Sequence, residues 1–149
     1  MKKVLIASDH AGLPGKETVK QTLAQMGIEY EDLGTYSQDS VDYPDYAEQV
    51  ARRVAAGEAE RGVLVCGSGI GMEIAANKIP GIRAALAWNE ETARLSREHN
   101  DANILAVGSR TTPQETIEQI TRAFMTTDFA AGRHAQRIEK IKNLEQHKD

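Results

Sequence analysis

The 149-residue chain carries one cysteine, Cys66. A single thiol cannot close an internal disulfide, and no CxxC or cysteine–histidine cluster offers a zinc site. There is no excess of basic residues. The formal net charge is -4, which argues against a nucleic acid or an anionic membrane surface as partner. The start, Met1-Lys2-Lys3, is that of a signal peptide, but its apolar run stops at Ala7 and meets Asp9-His10. No apolar stretch approaches membrane-spanning length. No internal repeat, low-complexity segment or linker divides the chain. These absences leave one domain, residues 1–149, in a reducing cytoplasmic setting.

What is present is alternation. Short apolar runs at Lys3–Ser8, Ile28–Leu33, Gly62–Cys66, Arg83–Trp88 and Asn103–Val107 read as strands. Between and after them, Pro14–Met26, Asp45–Ala56, Ile70–Lys78, Glu90–His99, Pro113–Thr126 and His134–Gln146 read as helices, punctuated by glycine and proline. Strand–helix alternation predicts βαβ units. The expected fold is α/β: a three-layer α/β/α, Rossmann-like arrangement on five parallel strands in the flavodoxin-like order 2-1-3-4-5. Ligands of such sheets bind at the carboxyl ends of strands, here between the first and third. The loops there are Asp9-His10-Ala11-Gly12 and Cys66-Gly67-Ser68-Gly69.

The second loop is no Walker A, because no Gly-Lys-Ser/Thr follows. It is no dinucleotide fingerprint either, since the third glycine would fall on Met72. Glycines at 67, 69 and 71 before a helix instead make a nest of N–H groups for a small anion or a developing oxyanion. A tight turn would need only one glycine. Cys66 at the strand end can give a thiolate favoured by the helix dipole, although a free cysteine often only fills space. Glu73, one turn into the helix, is a rival base. Asp9 is either a helix cap or, with His10, a ligand contact. Arg133 and Arg137 share a face at a helix start, where cations oppose the dipole unless an anion is bound. Arg110 lies at the same sheet edge. His99-Asn100 ends a helix, where an imidazolium could simply cap it. Asp42-Tyr43-Pro44-Asp45 begins one, and His147 sits in a polar tail. The sum is a phosphate-bearing small molecule, a thiol or carboxylate base, histidines and an oxyanion nest, which suits proton transfer next to a carbonyl. A binding module that senses a phosphorylated ligand without turning it over would use the same nest and arginines.

Nine segments carry a resemblance across nearly the whole chain. They are Ser8-Asp9-His10-Ala11-Gly12, Gly34-Thr35-Tyr36-Ser37, Val41-Asp42-Tyr43-Pro44, Cys66-Gly67-Ser68-Gly69-Ile70-Gly71 and Ala75-Ala76-Asn77-Lys78. Then follow Gly81-Ile82-Arg83-Ala84, Arg97-Glu98-His99-Asn100, Gly108-Ser109-Arg110 and Gly132-Arg133-His134. In this order they resemble the ribose-5-phosphate isomerase B family, the RpiB/LacA/LacB sugar-phosphate isomerases. The resemblance implies a cofactor-free aldose–ketose isomerase of the non-oxidative pentose phosphate pathway. It would interconvert ribose 5-phosphate and ribulose 5-phosphate through a cis-enediolate. By that likeness Cys66 moves the proton between C1 and C2, and the backbone of Gly67, Ser68, Gly69, Ile70 and Gly71 holds the enediolate oxygens with help from the Ser68 hydroxyl. His99 assists ring opening. Asp9, His10 and Asn100 bind sugar hydroxyls, and Tyr43 lines the site. Arg110, Arg133 and Arg137 take the phosphate, with His10 or His134 near it. No metal is implied. The likeness also implies a homodimer or a dimer of dimers with sites at the subunit boundary, the terminal helix at about 134–146 lying there with Ile138, Ile141 and Leu144 as its apolar stripe. Many family members have threonine at Ser68, which keeps the hydroxyl. Glu73 falls one residue past the position of the family's alternative glutamate base, about 100° away around the helix. A six-carbon sugar phosphate, such as allose 6-phosphate or galactose 6-phosphate, is the alternative substrate.

Overall fold

A computed structural model describes residues 3–146; His147 lies outside them. The elements are β1 (Val4–Ser8), a 3-10 turn (His10–Gly12), α1 (Leu13–Gln25), β2 (Tyr30–Asp32), α2 (Tyr43–Ala55), β3 (Gly62–Cys66) and α3 (Ile70–Ala76). They continue as β4 (Ala84–Leu86), α4 (Glu90–Glu98), β5 (Ile104–Gly108), α5 (Gln114–Thr126) and α6 (Arg133–Leu144). All strand pairs are parallel. The three-layer α/β/α arrangement holds, but the strand order is β2-β1-β3-β5-β4, not 2-1-3-4-5.

The handedness of the crossovers explains the layers. Connections that step toward β4 put α2 and α3 on one face, and connections that step back put α1 and α4 on the other. Alternation along each strand then divides the core. Val4, Ile6, Val63, Val65, Leu105 and Val107 pack with α1, α4 and α5 through Val19, Leu23, Ala93, Ile117 and Phe124. Leu5, Ala7, Leu64, Cys66, Ile104 and Ala106 pack with α2 and α3 through Val50, Val54, Met72 and Ala76. The three central strands are buried on both faces, as near-continuous apolar runs demand. The outer strands are shorter than their sequence runs. β2 pairs only over Tyr30–Asp32, and β4 only over Ala84–Leu86.

The outer edge of β4 is covered by side chains of α3 and the residue that follows it. Asn77 Nδ2 donates to the Ala84 carbonyl at 2.9 Å, and its Oδ1 accepts the Ala84 N–H at 2.8 Å. One turn earlier, a Glu73 carboxylate oxygen accepts the Leu86 N–H. The Glu73 carboxylate is thereby turned to the sheet edge, in line with its angular displacement on the helix. Among the described residues no helix is long and apolar enough to cross a membrane.

Candidate active site

A cleft of about 670 Å³ opens at the carboxyl ends of β1 and β3, where the winding direction changes. Asp9, His10, Tyr43, Cys66, Gly67, Ser68, Ile70, Gly71 and Arg110 line it, together with Ala11, Ile74 and Thr111, which the sequence reading did not single out. Thr111 follows Arg110 in the same loop, and Ile74 lies one helical turn beyond Ile70. Both were available from spacing alone.

Cys66 ends β3 with its side chain only 5 % exposed. Its Sγ accepts the Gly69 N–H at 3.1 Å. Gly69 reaches that position with φ +81, and a Cβ there would lie 2.6 Å from Leu86 Cδ1 and 2.8 Å from the Val107 carbonyl carbon. Glycine is therefore required by conformation and by space. Gly69 itself packs beneath the loop and contributes its N–H, while Gly67, Ser68, Ile70 and Gly71 face the cleft. The Ile70 N–H meets Ser68 Oγ at 3.3 Å. A Cβ on Gly71 would fall 2.5 Å from the Tyr43 ring, so the missing side chain is what lets the aromatic wall close against α3.

The other loops are pinned to this one. The Ser109 N–H donates to the Cys66 carbonyl at 2.8 Å and the Arg110 N–H to the Gly67 carbonyl at 2.9 Å. Arg110 thus crosses over Gly67, its Cδ 3.6 Å from where a Cβ would stand. Asp9 is buried and caps the 3-10 turn, with Oδ1 accepting the Gly12 N–H at 2.9 Å. Capping and cleft lining are both true of this residue. His10 Nδ1 accepts the Val41 N–H at 3.2 Å, which leaves the proton of a neutral ring on Nε2 as a donor. Lys16 was not foreseen. Fully buried, it donates to Asp32 Oδ1 at 2.8 Å and the Thr35 carbonyl at 2.5 Å, fastening the loop after β2 to α1. Asp42 precedes α2 but makes no side-chain cap.

His99, Asn100, Arg133 and Arg137 do not line this cleft. His99 caps the carboxyl end of α4, and its ring stacks on His134 at 4.3 Å between centroids. Arg133 and Arg137 occupy the first turns of α6. His99, His134, Arg133 and Arg137 stand together as a second, cationic group on the same chain, and an exposed Asn100 follows His99. The reason they appear apart is topological: α4 and α6 belong to the β4–β5 half of the sheet, whereas the cleft sits over β1 and β3. Among the described residues, every arginine other than Arg110, Arg133 and Arg137 hydrogen-bonds to a carboxylate, a carbonyl or an amide. The three arginines left for a ligand are those anticipated for phosphate. No group of three or more histidine, cysteine, aspartate and glutamate side chains among the described residues could hold a metal ion.

The family model for Ribose/Galactose Isomerase matches residues 4–141. Ribose-5-phosphate isomerase B of Escherichia coli is 44% identical over 149 residues, all of both chains. Ribose-5-phosphate isomerase B of Clostridium thermocellum superposes with a TM-score of 0.94 at 46% identity, covering 97% of each chain. That of Mycoplasma genitalium, solved with bound ribulose-5-phosphate, superposes with a TM-score of 0.92 at 38% identity over 98% of this chain and 97% of its own. With a family model matched over residues 4–141 and a sequence and fold to match, the chain belongs to the ribose/galactose isomerase family.

Proposed function

We propose that the protein interconverts D-ribose 5-phosphate and D-ribulose 5-phosphate through a cis-enediolate. The observation that carries this is the Cys66 sulfur on the cleft floor, holding the Gly69 N–H beside a backbone loop built to face an oxyanion. Cys66 takes the C2 proton of the open-chain aldose and returns it to C1, while the hydroxyl proton of O2 passes to O1. Charge that develops on O1 and O2 meets the N–H groups of Gly67, Ser68, Ile70 and Gly71 and the Ser68 hydroxyl, while the Gly69 N–H stays on the sulfur. Asp9, His10 and Tyr43 orient the sugar. Arg110 takes one side of the phosphate.

The reading is completed by a second copy of the chain, which brings His99, Asn100, Arg133 and Arg137 to this cleft. What supports a homodimer is the pairing of an open cleft, with three arginine forks lacking partners, and apolar side chains at its rim. Ile70 and Ile74 are 51% and 56% exposed on α3. His99 then assists opening of the furanose ring. A single free cysteine suits a reducing, cytoplasmic setting. The family description also names galactose, so six-carbon phosphates are the second substrate class to test; they need a longer reach from Cys66 to the arginines.

Isomerisation is measured on purified protein with chelator present, for the wild type and Cys66→Ala. The expected loss in kcat is about 10²- to 10⁴-fold, with KM little changed. Full activity in the variant moves the base elsewhere, and no turnover of any pentose or hexose phosphate removes the function. The ratio of kcat/KM on the two sugar lengths decides the substrate.

A further inference from the structure

The amino end of α6 is fastened to the carboxyl end of α4, and two histidines meet at the joint. Arg97 in the last turn of α4 donates from Nε to the Thr127 carbonyl, past the end of α5, at 3.1 Å. Its Nη1 donates to Asp101 Oδ1 at 2.9 Å and to the Ala102 carbonyl at 2.7 Å. The Ala130 N–H reaches the Glu98 carbonyl at 3.0 Å. Ala131 and Gly132, each at φ +56, then turn the chain directly into α6. These ties lay the His134 ring on the His99 ring with 4.3 Å between centroids and 16° between planes. Both rings are half-buried.

Two imidazoles this close repel when both are charged, so a proton on one ring opposes a proton on the other. Arg133 and Arg137 of α6 add positive charge next to the pair, and Glu98 of α4 opposes it. Partial burial, then His99, then the two arginines hold His134 below the ordinary imidazole range. Neither arginine has an acidic partner among the described residues. An anion captured by them would cancel the nearest positive charges and favour an imidazolium.

We propose that His134 is a positioning residue for His99: the stacked rings titrate as one unit, and that unit takes up a proton when an anion occupies Arg133 and Arg137. The idea rests on the role given to His99 in the proposed function. Ring opening breaks the bond between C1 and the ring oxygen. The ring oxygen must gain a proton, and the C1 hydroxyl loses one to water, so the count balances. A pair charged by the docking of the substrate's own phosphate presents that proton when it is needed.

The test follows the imidazole carbon–hydrogen resonances of the full-length protein by NMR against pH, without and with inorganic phosphate. In the wild type, His134 is expected to titrate below the ordinary range and to be coupled to His99, and phosphate raises the upper midpoint of the pair by about one pH unit. His134→Phe keeps a ring in the stack but removes the second titrating group. His99 is then expected to titrate in one step, at higher pH than in the wild type without phosphate. His134→Ala removes the stack, and the acid limb of the kcat profile moves with the His99 midpoint. An unchanged His99 titration in both variants overturns the proposal. So does a wild-type titration that ignores phosphate, which needs no variant to fold. The NMR readout does not depend on turnover, so a missing isomerase activity would show in the assay and leave this result separate.

Discussion

At the scale of single residues, the site depends on positions with no spare freedom. Gly69→Ala puts a methyl against Leu86 and the Val107 backbone at a φ that L side chains rarely adopt. Unfolding in urea should show a loss of about 1–3 kcal/mol, and kcat should fall because relieving the clash shifts the loop and moves the residue-69 N–H off the Cys66 sulfur. Away from the site, Glu31 accepts hydrogen bonds from Arg53 at 2.9 Å and Lys3 at 2.6 Å. These bonds, Arg53 foremost, hold its carboxyl down to about 2. A carboxylate with a lowered folded-state pKa contributes stability at neutral pH and loses it as pH falls. The loss therefore runs from about 4.5, the unfolded value, down to about 2. Urea midpoints between pH 5 and 2 should fall more steeply in the wild type than in Glu31→Gln, with the two curves converging at the acid end. Parallel curves would mean that the ion pairs do not act on folding.

At the scale of elements, α3 serves two masters. Its amino end aims Ile70 and Gly71 at the cleft, while Glu73 and the following Asn77 hold the edge of β4. Asn77→Ala breaks two exposed hydrogen bonds and leaves the Ala84 N–H and carbonyl to water, at a cost of about 0.5–1.5 kcal/mol, read as a lower urea midpoint with kcat nearly unchanged. The elements themselves were legible in the sequence, because buried parallel strands read as unbroken apolar runs and most helices have a glycine or proline at one end, α4 with its Asn89 cap being the exception. The order of β4 and β5 was not. Both 2-1-3-4-5 and the observed order obey right-handed crossovers, and they differ in which face α4 covers. That depends on the packing of Ala93 beside Phe124, which periodicity does not encode. Glu73 shows the reverse: one residue of helical phase predicts that its carboxylate points elsewhere, and it lies at the edge of β4 and outside the cleft lining. The cleft residues on β1, β3 and β5 were legible for the same reason, since a strand end fixes its loop. Lys16 was not, because a lysine on a helix reads as solvated until a loop closes over it.

At the scale of the whole molecule, the two groups of predicted ligands stand apart on one chain, and the proposed function joins them across two. Mixing Cys66→Ala with Arg137→Ala protein tests this, if subunits exchange. Random pairing makes half the dimers hybrids, each with one intact site, so the mixture should regain about a quarter of wild-type activity from two nearly inactive parents. If each chain builds its own site, mixing restores nothing. Sedimentation of the wild type against Ile74→Glu gives the matching physical measurement, with the charged variant shifted toward monomer.

The covered edge of β4 bears on how copies of the chain can meet at all. An open parallel sheet with a bare outer strand is a template: another chain can extend it, and the extended sheet offers a new bare strand, without end. Here the outward N–H and carbonyl of Ala84 and the N–H of Leu86 are taken by the chain's own side chains. Contact on that side must then run through helix surfaces and side chains, which close on themselves by symmetry and stop. The side-chain bonds of Glu73 and Asn77 thus favour finite assemblies over fibres, in a fold whose central strands are among its most apolar segments.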